Sequence, residues 1–486
     1  MARPEPATAL RTVVYTRRRR AVDEPVIDAT SRNEAAIDDA DAGPRRSALS
    51  IAAVGVPPVV FAWFGWTAHP ELAIGVPIVF GLGLVALHLT RNLNRRRSFD
   101  LAGIVLTGFA MKLVFVALRY DAIYGTYSGV GDAGAYHEHG VRLAQAYRML
   151  DFAEPARQKI PGTGFIRVVT GYVYAVLTPD IVIGFIVFGL FAFIGTFLLY
   201  RAFELAVPEG NARRYALLIF LWPSMLFWPG SIGKEAWILL GMGLFAYGGA
   251  RVLSHQRGGF LLAAAGAWAI VMTRPHVILL LFGAFAVGYA LRPGSRVAGL
   301  GLATKIVGGL FLFAVGTFMI STFNEFFGID EFSQESIEQE FEETSEQTSQ
   351  GGSRYETPSP FSPLGYPIAL VTVLFRPFPF EADNAQMLLT SVEGLVLAVL
   401  LLSAVPRMLS APGALRKWPY VAASLTYVPV FAFAFSSLGN FGILARQRVQ
   451  MLPFLFVLVA LPPLGSAVAD RRRARRRPRE TVSVHR

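Results

Sequence analysis

The stretch RNLNRRRSFDLAGIVLTGFAMKLVFVAL (91–118) decides the fold. Residues 101–118 are apolar over nearly the length a helix needs to cross a hydrocarbon core about 30 Å thick. The arginines ahead of them form the basic flank that holds one end of a span in the cytoplasm. The pattern recurs along the chain. Apolar segments fall at 51–66, 72–91, 101–118, 181–200, 214–230, 235–253, 259–272, 276–292, 298–321, 386–405, 418–436 and 450–468. This reading predicts an all-α, polytopic transmembrane helical bundle of about 12 spans with helices in its exoplasmic loops.

Composition agrees. Apolar residues make up 53% of the chain and charged residues 16%, against about 25% charged in an average soluble domain. Mean hydropathy is +0.45. The net charge of +11 comes from clusters such as TRRRR (16–20), RNLNRRR (91–97) and RRRARRRPR (471–479). These flank apolar runs and serve as topology signals, so nucleic acid is not an expected partner. With no cysteine, disulfides, thiolate nucleophiles and cysteine metal sites are excluded.

With a cytoplasmic N-terminus, alternate loops hold Arg91 to Arg97, Arg201 with Arg213 and Arg214, Arg251 with Arg257, Arg292 with Arg296, and Arg407 with Arg416 and Lys417. Most Lys and Arg then lie inside, and the even number of crossings returns the C-terminus to the cytoplasm. The expected organisation is a disordered cytoplasmic tail (1–47), a transmembrane domain (48–469) and a basic cytoplasmic tail (470–486), placed in a bacterial plasma membrane. Two long loops, 119–180 and 322–385, fall outside. The first is expected to carry a short helix from Asp132 to about Leu150 and an interfacial segment at 164–177. The second begins acidic and returns at 362–381 as a re-entrant or interfacial stretch.

Ionisable groups near membrane depth are costly, and those on the exoplasmic side break the charge rule, so they are the candidate site. Asp132 in GDAGAYHEHG (131–140) shares a helix face with Tyr136 and could take a proton from an acceptor hydroxyl; it could also be the N-cap of that helix. His137 and His139 face different ways on a helix, which favours surface histidines over metal ligands. Lys234 and Glu235 in SIGKEAW start a span, where Lys234 would meet a phosphate as a point charge or snorkel to the interface. Arg274 and His276 in MTRPH, Arg376 with its neighbour Glu381, and Arg446 and Arg448 in GILARQRVQM complete the set. Guanidinium forks suit phosphate oxygens. The acidic run Glu325 to Glu346 lacks calcium-loop order and reads as a solvated loop. No cofactor is assigned, although loop carboxylates leave a divalent cation open.

The basic turn, the span and the exoplasmic GDAGAYHEHGVRLA, read as D-x3-Y-x6-L-A, resemble the first loop of the GT-C class of membrane glycosyltransferases, which includes the protein O-mannosyltransferases and lipid A aminoarabinose transferase. The resemblance implies a sugar donor carried on a polyprenyl phosphate and a glycan, lipid or protein acceptor in cell-envelope synthesis. It implies Asp132 as general base and Lys234, Arg274 and Arg446 as phosphate-binding residues. GNFGILARQRVQMLPF is also similar to arginine-bearing outer segments of O-antigen polymerases and ligases. A transporter or flippase of lipid-linked glycans is the alternative of a different class.

Overall fold

The computed structural model describes residues 48–292 and 334–464, apart from 96, 127, 130 and 350–352, together with Thr317. Both expected tails, the apolar segment 298–321 and the start of the acidic run lie outside the described residues.

Within them the chain is helical, with one isolated bridge between Arg354 and Asn440. The helices are α1 (Ala48–Thr67), α2 (Gly75–Leu89), α3 (Leu101–Asp121), α4 (Asp132–Arg148), α5 (Thr163–Val176), α6 (Ile181–Ala206), α7 (Ala212–Leu221), α8 (Pro223–Phe227), α9 (Lys234–Leu253), α10 (Gly259–Val271), α11 (Pro275–Leu291), α12 (Gln334–Thr348), α13 (Gly365–Phe375), α14 (Ala385–Met408), α15 (Pro419–Ala434), α16 (Phe441–Arg448) and α17 (Leu452–Val459).

Among the described residues, five helices are long and apolar enough to cross a membrane: Pro70–Asn92, which extends α2 at both ends, Leu101–Thr126, Ile181–Ala206, Lys234–Leu253 and Ala385–Met408. The apolar helices α10, α11, α13 and α15 are shorter, as is the stretch Ile51–Thr67 of α1. On α14, Leu388, Leu395, Val399 and Leu402 are exposed. An apolar stripe turned outward on a helix of spanning length points to a membrane protein.

One expected span is broken, and another is preceded by a bend. The segment at 214–230 divides into α7 and α8 at Trp222–Pro223, where proline supplies no N–H and pushes its predecessor out of the helical region. Lys112, buried in the middle of α3, donates to the carbonyls of Met225 (3.1 Å) and Leu226 (2.9 Å) in α8. It thereby satisfies backbone acceptors at the end of a very short helix. Ahead of the expected last segment at 450–468 stands α16, and the pair α16 and α17 is bent by 56° at residues 449–451. Arg446 and Arg448 therefore sit in a helix of their own ahead of the break. At 164–177 the helix α5 lays Phe165, Thr170 and Tyr174 inward and packs on α4.

The position of α9 matters most, because its first residues enter the site. It packs closely on α6 through glycines: a Cβ on Gly243 would collide with the backbone of Gly195, and one on Gly195 with the carbonyl of Leu239. Small residues let helix backbones approach in this way. Gly243→Val is expected to destabilise the protein by about 1–3 kcal/mol through overpacking. The check is the midpoint of thermal unfolding in detergent, and an unchanged midpoint would refute the close packing.

Candidate functional site

Three helix starts and the end of a fourth helix bring charge together. Asp132 is the first residue of α4, Lys234 and Glu235 open α9, Arg274 precedes α11, and Arg446 with Gln447 comes from α16. Glu235 is the hub. Its Oε1 accepts from Arg274 Nη2 at 2.8 Å and lies 3.2 Å from Arg446 Nε. Arg446 Nη1 in turn lies 3.5 Å from Asp132 Oδ2. Gln447 Oε1 accepts from Arg274 Nη1 and from Gln450 Nε2, each at 2.6 Å, which fixes the Arg274 fork from its far side.

Burial separates the roles of the two carboxylates. The side chains of Glu235 and Arg274 are 13% and 12% exposed, whereas that of Asp132 is 68% exposed. Glu235 is therefore committed to the two guanidiniums, and Asp132 stands in the open on the rim. Gly131, not Asp132, is the N-cap of α4, and it makes no side-chain cap. The capping expectation for Asp132 is corrected accordingly, which leaves its carboxylate free of a backbone task. It still lies in the first turn, where the helix dipole favours its negative charge.

Lys234 lies within the fields of Glu235, Asp132, Arg274 and Arg446. Three cations thus face two carboxylates, an excess of one positive charge. The starts of α4, α9 and α11 add the partial positive ends of their helices to that excess. Tyr136, one turn along α4, is buried beside Glu235 and Asp132 and hydrogen-bonds Thr163; burial, reinforced by the carboxylates, pushes its pKa up to about 12. It therefore remains a proton donor throughout the physiological range. His276 sits behind the cluster, against Phe435, within the fields of Arg274 and Lys234.

The remaining candidates make their contacts elsewhere. His137 Nδ1 lies 2.8 Å from the Tyr174 hydroxyl and ties α4 to α5. Burial moves its pKa down, so it is neutral at pH 7 and serves as a strut. His139 Nδ1 reaches the carbonyl of Ala135 on its own helix. Arg376 is clasped by Glu381, with Nε to Oε1 at 2.9 Å and Nη2 to Oε1 at 2.5 Å. Its guanidinium carbon lies 4.5 Å from the ring centre of Tyr355 and 5.0 Å from that of Phe441. Arg448 is buried and donates to the carbonyls of Val373 and Arg376. These two arginines hold the segment after α13 against α16 and do not join the anion cluster.

Sequence reasoning missed Gln447, whose signal was a polar residue between two arginines. It also missed Lys112 and Glu393, single ionisable groups inside apolar runs. Among the described residues, no group of three or more His, Asp and Glu side chains is arranged to hold a metal ion. The divalent cation left open by the sequence thus finds no ready ligand set among them.

Comparison with known proteins found no match: no family model, curated protein or solved structure resembles this chain closely enough to align with it.

Proposed function

We propose that the chain is an integral membrane glycosyltransferase that moves a sugar from a polyprenyl-phosphate donor to an acceptor, with the cluster around Glu235 as its donor-phosphate site. The observation that carries the reading is the charge excess: Lys234 and Arg274 at two helix starts and Arg446 from the last turn of α16 are gathered together, with one exposed carboxylate on their rim. Such an arrangement stabilises a leaving phosphate, while Asp132 accepts the proton of an attacking hydroxyl. Tyr136 donates a hydrogen bond from the floor. The acceptor hydroxyl replaces the phosphate at the sugar carbon, and polyprenyl phosphate leaves.

The reading places both termini in the cytoplasm, about twelve crossings between them, and the cluster on the exoplasmic face of a bacterial plasma membrane. Contacts among the basic connections support it. Arg97 and Arg201 both reach Glu204, at 2.5 and 2.9 Å, Lys417 reaches Glu209 at 2.6 Å, and Arg292 Nε reaches His255 at 3.0 Å. Loops assigned to one side therefore meet one another, as Asp132, Glu235, Arg274 and Arg446 do in the cluster. Reporter fusions after Arg97 and within 335–350 are expected to report opposite sides of the membrane; agreement between them would break the topology.

A second reading rests on the bent pair α16 and α17, since transporters place broken helices at their anion sites. The two readings differ in bond cleavage. Purified protein in nanodiscs, given a polyprenyl-phosphate sugar labelled in the sugar together with envelope acceptors, is expected to release free polyprenyl phosphate and pass the label to the acceptor. Translocation of intact donor without cleavage would establish the transporter instead.

A further inference from the structure

Away from the cluster lies an open cavity of about 770 Å³, within the size range of small-molecule sites. Its walls are apolar and aromatic, with Phe115 and Leu118 from α3, Phe227 from α8, and Leu389, Val392 and Val396 from α14. At its polar end stands Glu393, the ninth residue of α14 and so roughly 12 Å along that helix from its start at 1.5 Å per residue. A carboxylate inside a span of this composition calls for a functional explanation.

The partners of Glu393 narrow the chemistry. Arg448, itself buried and engaged with the Val373 and Arg376 carbonyls, lies within reach of its field. Glu393 also faces the Ser224 hydroxyl and the Trp222 indole N–H. Both of those side chains line the cavity and are at least nine-tenths buried, yet neither atom is held in a hydrogen bond of full geometry. The cavity thus presents two donors not held in hydrogen bonds of full geometry, beside a carboxylate that lies within the field of a guanidinium. A phosphate there would oppose Glu393, and an ammonium would oppose Arg448. A hydroxyl fits both needs, donating to the carboxylate and accepting from the indole.

We propose that this cavity is a second ligand site, distinct from the cationic cluster, and that it binds a long-chain lipid alcohol. The hydrocarbon chain lies between α3, α8 and α14, and its hydroxyl sits among Glu393, Trp222 and Ser224. The proposal does not depend on the glycosyltransferase reading, because it uses none of the cluster residues.

The test uses the full chain in nanodiscs and a photoactivatable sixteen-carbon alcohol, with labelled residues mapped by mass spectrometry. Labelling is expected within 222–228 and 385–396. Hexadecanol is expected to compete about tenfold better than hexadecyl phosphate or hexadecane, the scale of one buried hydrogen bond to a charged group. Glu393→Leu should remove that preference for the alcohol. Ala122→Phe, which fills the cavity wall without touching the polar end, should reduce labelling by each probe and keeps the test decisive if Glu393→Leu does not fold. Equal competition by the alkane or the phosphate would overturn the proposal. So would labelling spread evenly along the outward stripe of Leu395, Val399 and Leu402.

Discussion

Asp132→Asn is expected to lower sugar transfer by about 10² to 10⁴-fold, the contribution of a positioned general base, while leaving the protein folded in the membrane. The side chain is mostly exposed and touches the cluster only through Arg446 at 3.5 Å, so its change to an amide removes little packing. Asparagine keeps the shape and loses the ability to take a proton. The loss should therefore fall on kcat, with donor binding nearly unchanged or slightly tightened, since one negative charge near the phosphate is gone. Full transfer activity in this variant would eliminate Asp132 as the base. Loss of folding would instead show that its contact with Arg446 is structural, which its exposure argues against.

Glu235→Gln should act on stability first. Among the described residues Glu235 is the only carboxylate in contact with both Arg274 and Arg446, and it is buried with them. An isosteric amide leaves two guanidiniums close together without their shared counter-charge. Breaking a buried pair by removing one partner costs about 3–5 kcal/mol, because the remaining charge is left unbalanced away from water. The expected result is a marked fall in the thermal midpoint, partly recovered by added phosphate, which restores negative charge at the same place. Recovery by phosphate but not by a neutral sugar would tie the structural hub to the anion site. A midpoint equal to that of the parent protein would mean the three charges are solvated rather than shared.

The membrane character and most helices were legible in the sequence because an apolar run of spanning length has few alternative readings. Loop charge then singled out Lys234, Arg274, Arg376, Arg446 and Arg448 as exceptions, and the structure brings Lys234, Arg274 and Arg446 together with Asp132 around Glu235. What the sequence could not supply is partner choice. Arg376 and Arg448 carry the same signal as Arg274 and Arg446, yet one is held by Glu381 under two aromatic rings and the other by backbone carbonyls. Distance in space, absent from the string, separates them. Helix breaks were also hidden, because average hydropathy runs straight through Trp222–Pro223 and residues 449–451. The proline at 223 was the available clue. Lys112 and Glu393 were overlooked for a related reason: one charge in about twenty apolar residues barely alters the average, although at membrane depth it must have a partner.

The measurement that bears most directly on the central claim is equilibrium binding of a short-chain polyprenyl phosphate to the purified chain, compared with Lys234→Ala and Arg446→Gln, at low and high salt. The cluster predicts affinity that falls as salt rises and drops by about tenfold or more in each variant, on the scale of a lost charge-assisted hydrogen bond. Binding that ignores both salt and the two substitutions would show that the phosphate is held elsewhere, and the account of this site would fall.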